Sequence, residues 1–187
     1  MTGAEIDKLC RAPETNELLW EKRDKALFEM LYSSGCRASE IVSLTLDDFN
    51  GDYSSAIVTG KGSKDRRVYF EKDAQNALKA YLEDRKNRFG DSDTERHIFV
   101  NQRGGALTTG GLRLIISRYS GSEGTKHHVS PHAFRHTFAT AMITNGADVR
   151  MVQELLGHSS ISTTQRYTHI STEKMIEMYN KAHPHAR

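Results

Sequence analysis

The chain has 187 residues, 27% of them charged and 37% hydrophobic, with a net charge of +2 when histidine is neutral. This is the balance of one polar-surfaced globular domain rather than a disordered tail, and the slight positive excess does not by itself announce a nucleic-acid binder. No apolar run approaches the roughly 18–20 residues that cross a bilayer, the first residues lack the basic-then-apolar order of a secretory signal, and Cys10 and Cys36 alone exclude a disulfide scaffold or thiolate zinc knuckle and fit a reducing cytoplasm.

Thr2 and Glu5 form a Thr-x-x-Glu capping box ahead of Ile6, Leu9 and Cys10, which predicts a short helix that Pro13 breaks. A second helix is expected from Leu18 to Ser34, with Gly35 just past its end. A short helix over Ala38–Leu44 carries Glu40 one turn after Arg37. The period then changes to two: Ala56–Thr59 and Arg66–Phe70 read as strands of a hairpin turned at Gly60-Lys61-Gly62. A helix from Glu71 to Phe89, a brief strand at Ile98–Val100, a helix from Thr109 to Tyr119 and a polar loop over 121–128 follow. Ser130-Pro131 is a helix start, closed at Asn145-Gly146. Asp148 starts another helix ending at Leu156-Gly157, a short one is expected over Thr163–Tyr167, and Ser171 caps a last one, Thr172–Ala182. The fold class is α+β, mainly α-helical with a small antiparallel β-sheet, in a single domain over residues 1–187.

Three patterns in the last third could carry chemistry. His132-Ala133-Phe134-Arg135 puts an imidazole and a guanidinium on one helical face, beside a helix N-terminus that favours anions. Leu156-Gly157-His158 sets a second imidazole past a helix end. Tyr167 supplies a phenol nine residues later. Upstream, Arg37 and Glu40 are three apart, and Lys61 lies between two glycines. Alone, each has a plain reading: a helix-capping histidine, a surface arginine, a half-buried core tyrosine, a local ion pair, a solvated turn lysine.

The combination is specific. In order the chain shows Gly-Cys-Arg-x-x-Glu, a hairpin Gly-Lys-Gly, His-x-x-Arg, Leu-Gly-His, and Tyr nine residues after that His. This resembles the catalytic domain of the tyrosine recombinases, the phage-integrase family, and most closely its bacterial Xer-type members, over almost the whole chain. The resemblance implies six active-site positions, Arg37, Lys61, His132, Arg135, His158 and Tyr167, with Tyr167 as nucleophile and Glu40 supporting the first arginine. It implies a site-specific DNA recombinase that cuts and rejoins strands through a 3′-phosphotyrosyl intermediate, with no metal and no cofactor. It also implies double-stranded DNA as partner, a homo-oligomer (a tetramer on two DNA sites) with the isolated domain monomeric, a cytoplasmic location and no membrane. Family members usually carry an N-terminal helical DNA-binding domain, for which the pattern here leaves no room. The C-terminal helix and tail, residues 172–187, are expected to serve protomer contacts.

The residue types make chemical sense without the family. Attack on a phosphodiester builds negative charge that two arginine forks and a histidine donor stabilise in place of a metal. A tyrosine hydroxyl leaves a covalent intermediate that a second hydroxyl can reseal without ATP. Two same-fold alternatives are an idle DNA-binding module and a topoisomerase IB-like nicking-closing activity. A third, a zinc hydrolase using His132, His136 and His158, lacks the glutamate a zincin needs, since Ala stands at 133.

Overall fold

The computed structural model describes residues 2–15, 20–60, 62–90, 95–122, 129–157 and 171–185. Helix α1 (Gly3–Thr15) opens on the expected capping box, with the Thr2 N–H donating to Glu5 Oε2 at 2.7 Å. It does not stop at Pro13, which lies buried in its last turn; so close to the helix end the ring forfeits only one intrahelical bond, and burial offsets that loss. Helix α2 (Glu21–Ser34) runs through the middle of the molecule and is buried on nearly every side, against α1, α4 and α6. Gly35 ends it in the left-handed region at φ 62°, its N–H donating to Leu31 O. A side chain there would put its Cβ 2.5 Å from Phe138 Cδ1, so both backbone and space require glycine.

Helix α3 (Ala38–Ser43) and a 3-10 turn (Leu46–Asp48) lead to strands β1 (Ser55–Thr59) and β2 (Asp65–Tyr69). They pair antiparallel, from Ser55 opposite Tyr69 to Thr59 opposite Asp65. Helix α4 (Lys72–Phe89) is capped by Glu71, whose carboxylate accepts from Asp73 N and Ala74 N. Ile98–Val100 forms isolated bridges rather than a strand, Val100 with Ala106 and, alongside, Thr45 with His97; its three apolar side chains are wholly buried, so core burial and not sheet pairing holds it. Helix α5 (Thr109–Ser122) runs into the segment expected to be a loop. Helices α6 (Pro131–Thr144), α7 (Val149–Leu156) and α8 (Thr172–Ala182) complete the described chain. Ser130 makes no side-chain cap bond on α6, whereas Asp148 caps α7 and Ser171 caps α8 as expected. The expected helix over Thr163–Tyr167 lies outside the described residues.

Two apolar clusters organise these elements. The larger joins α1 to α5 and the start of α6 around Trp20, Phe28, Tyr81 and Phe134. The smaller joins Tyr69, Phe138, Met142, Leu155, Met175 and Tyr179, from β2, α6, α7 and α8. None of the described helices is long and apolar enough to cross a membrane.

Candidate active site

The site is built where three chain ends meet: the C-terminus of α2, the C-terminus of α7 and the base of the hairpin. Arg135 comes up from the first turns of α6 and is 8% exposed. Its Nη1 donates to Gly35 O at 2.7 Å and its Nη2 to Leu156 O at 2.6 Å. Those carbonyls terminate α2 and α7, so the guanidinium sits at the negative ends of two helix dipoles. Burial, with Arg37 and Arg66 close by, nonetheless pulls its pKa down to about 10. It stays charged at neutral pH, and an anion arriving beside it would relieve both costs.

Glu40 is the opposite pole, its side chain 2% exposed. It accepts four hydrogen bonds: from Arg37 N at 2.7 Å, Arg37 Nη1 at 2.9 Å, Arg66 Nη1 at 2.6 Å and Arg66 Nη2 at 2.9 Å. Burial pushes its carboxyl up, but the bonds from Arg66 and Arg37 outweigh it, and the group titrates below the usual carboxylate range. Arg37 also donates through Nη2 to Gly157 O at 3.4 Å. With a side chain 31% exposed, it is the arginine of the set that reaches solvent. Three guanidiniums against one carboxylate leave two positive charges unbalanced in this corner among the described residues, which is the electrostatics of an anion site.

Arg66 is the member that sequence reasoning missed. It fixes the hairpin to the site: a fork on Glu40, plus Nε donating to Leu155 O at 2.7 Å. A signal for it existed. Arg66 and Val68 alternate onto one face of β2, and Val68 is buried; an arginine on that inward face needs a buried carboxylate.

Of the seven expected residues, Arg37, Glu40 and Arg135 are brought together. His132 stands exposed one turn before Arg135 in α6. Lys61, His158 and Tyr167 lie outside the described residues. The described residues just before Lys61 and His158 do end at the cluster, however. A Cβ on Gly60 would lie 3.5 Å from both Arg66 Nη1 and Glu40 Oε1, and one on Gly157 would lie 3.0 Å from Arg66 Cδ.

Other nucleophiles nearby are poor ones. Cys36 is fully buried, and burial with Glu40 opposite pushes its thiol up to about 11, so it is inert. Of the chain's seven tyrosines, Tyr32, Tyr69, Tyr81, Tyr119 and Tyr179 are packed in the two cores. As for zinc on α6, His132 and His136 are both exposed, and the described residues whose ligand atoms converge are elsewhere, at Glu29, Glu71 and His185.

The family model for the phage integrase family matches residues 1–174. The chain belongs to that family. It is 46% identical over 196 residues to the tyrosine recombinase XerC of Treponema denticola, covering 100% of this chain and 64% of that relative. The chain thus spans less than two thirds of that relative's length. The fold is also that of the XerA recombinase crystal structure, with a TM-score of 0.76 and 31% identity over 98% of this chain and 65% of the other. The XerH site-specific recombinase bound to its difH substrate matches with a TM-score of 0.73 and 27% identity, over 95% of this chain and 52% of the other.

Proposed function

We propose that this chain is the catalytic part of a site-specific DNA recombinase that acts on double-stranded DNA. The observation that carries the reading is the corner where Arg37, Arg66 and Arg135 converge on one carboxylate and two helix ends. It offers guanidinium forks and unbalanced positive charge to a single anion, and a scissile phosphodiester is an anion whose charge grows on attack. Tyr167 is the nucleophile; five of the other six tyrosines are withdrawn into the cores. A bond forms between its oxygen and phosphorus as the bond from phosphorus to the 5′ oxygen breaks. The phenol proton passes to solvent, and Lys61 gives one to the leaving 5′ oxygen, so the step conserves protons. His132 and His158 donate to the non-bridging oxygens. The same steps in reverse, with another strand's 5′ hydroxyl, reseal the backbone. Recombination then needs a tetramer on two DNA sites, so that two duplexes are cut and exchanged together.

The test is covalent capture. The chain is incubated with nicked genomic duplex fragments, denatured, and DNA still attached to protein is recovered and sequenced. The expected result is adducts at a recurrent sequence, lost in Tyr167→Phe while gel-shift binding remains. Binding without adducts in the unaltered chain would make it an idle DNA-binding module instead, and relaxation of supercoiled DNA with a single site would favour nicking-closing chemistry.

A further inference from the structure

The C-terminal tail packs on α1 and α2, with His185 Nε2 3.0 Å from Asp7 Oδ1 and its ring edge-on to Tyr32. Three side chains from three distant parts of the chain meet there: Glu29 of α2, Glu71 at the cap of α4, and His185 of the tail. One ligand-capable atom of each lies within 4.8 Å of the other two. The Glu29 side chain is 7% exposed and its Oε2 has no hydrogen-bond partner. His185 Nδ1 is also buried and unpartnered. Two buried polar atoms without partners in one three-residue cluster are rare in a folded chain and call for an unseen occupant.

We propose that Glu29, Glu71 and His185 form a binding site for one divalent transition-metal ion, of the zinc class. The donor set decides the class. One imidazole with two carboxylates suits zinc, cobalt or manganese, whereas calcium and magnesium take oxygen ligands alone. Asp7 Oδ1 lies 3.0 Å from the His185 Nε2; a carboxylate can only accept there, so Nδ1 is the nitrogen a metal would take, in the usual carboxylate–histidine–metal relay. The Tyr32 ring stands edge-on to His185 with centroids 5.1 Å apart and fixes its plane. Glu71 is held by Asp73 N and Ala74 N, and each of its oxygens keeps a second lone pair. Ligands at the usual 2.0–2.1 Å would sit about 3.3 Å apart in a tetrahedron, so rotamer adjustments of about an ångström close the site.

Charge points the same way. Glu29 and Glu71 bring two carboxylates together in a nearly dry place. Lys25 reaches Glu29 Oε1 at only 3.7 Å and is shared with Glu14 at 2.8 Å. A dication would balance both carboxylates at once. An open cleft of about 590 Å³, lined by Asp7, Cys10, Glu14, Asp73 and others, leads to the site. Its lining carries both signs, Arg11, Lys22 and Lys25 beside five carboxylates, and it opens the site to solvent. The ion would clip the end of the chain to α2 and α4, and so hold α8 on its own domain.

The test uses the full tag-free chain, freed of metal by chelation and titrated with zinc by calorimetry. One zinc per chain should bind at this site, Glu29→Gln and His185→Ala should weaken it at least 100-fold, and Asp7→Asn should weaken it 10–100-fold. His132→Ala should leave it unchanged, which separates this site from the α6 histidines. Zinc should also slow backbone hydrogen exchange over residues 171–185 in the unaltered chain, a readout that needs no variant to fold. Absence of stoichiometric zinc, or zinc binding that survives both Glu29→Gln and His185→Ala, would overturn the proposal.

Discussion

Glu40 is the residue on which the arginine corner depends. From a nearly dry position it accepts three hydrogen bonds from two guanidiniums and a fourth from the Arg37 backbone N–H. Breaking a buried pair by removing one partner typically costs about 3–5 kcal/mol, because the other charge is left uncompensated. Glu40→Gln should therefore destabilise the chain by about that amount in urea melts. The pH dependence has a definite sign. A carboxyl whose folded pKa lies below its ordinary value near 4.5 contributes stability that is complete above that value and is lost as pH falls towards the folded pKa. The unaltered chain should lose this stability below about pH 4.5, and the Gln variant should lack that part of the acid limb. Lys61 offers a chemical test at the same scale. Lys61→Ala should slow cleavage of a normal phosphodiester by about 10²–10⁴-fold. On a substrate with sulfur at the 5′-bridging position the loss should be far smaller, since a thiolate leaves without a proton; equal losses would remove Lys61 from the general-acid role.

Among elements, the end of α2 is the one that transmits packing into chemistry. Gly35 turns the chain at φ 62°, lies against Phe138, and presents its carbonyl to Arg135. Gly35→Ala meets left-handed strain of about 1–2 kcal/mol and a contact with Phe138 that something must yield to. The variant should show a lowered Tm and, in its folded fraction, weakened DNA cleavage, because the carbonyl that seats Arg135 moves with the turn. A variant with a lowered Tm and unaltered cleavage would show that Arg135 is held well enough by Leu156 O. The hairpin behaves likewise: β2 is tied through Arg66 to both Glu40 and α7, so the base of the hairpin turn is set by the same arginine–carboxylate cluster.

At the scale of the whole molecule, α8 closes the smaller core. Met175, Tyr179 and Ala182 are buried, and the Tyr179 hydroxyl donates to Ser33 O at 2.9 Å. Ile176, next to Met175 in the same helix, is 39% exposed. In the single chain the helix therefore docks on its own domain, and deleting residues 171–187 uncovers Tyr69, Phe138, Met142 and Leu155. Losing a buried aromatic alone costs about 3–5 kcal/mol, so the truncated chain should melt well below the full one and bind a hydrophobic dye. An unchanged melting curve would mean that α8 contributes little to the domain and is available for protomer contacts without loss.

Much of this was legible beforehand because it is local. Capping residues, turn glycines and hydrophobic period placed α3, the hairpin, α4, α6, α7 and α8 within a residue or two, since each rests on backbone groups a few positions apart. Arg37, Glu40 and Arg135 were legible as a joint motif. Pro13 inside α1, the bridged rather than stranded Ile98–Val100 and the extra turn of α5 were not, because tertiary burial overrode local preference there. Arg66 on Glu40, and His185 facing Glu29 and Glu71, were beyond the sequence for a different reason. They join residues 26 to 156 positions apart, and no local rule states which charged side chains a fold will bury together. The sequence determined the helices, the hairpin and the residue types fit to handle a phosphodiester; the packing of α2 against α4, α6 and the tail alone decided which charges face one another.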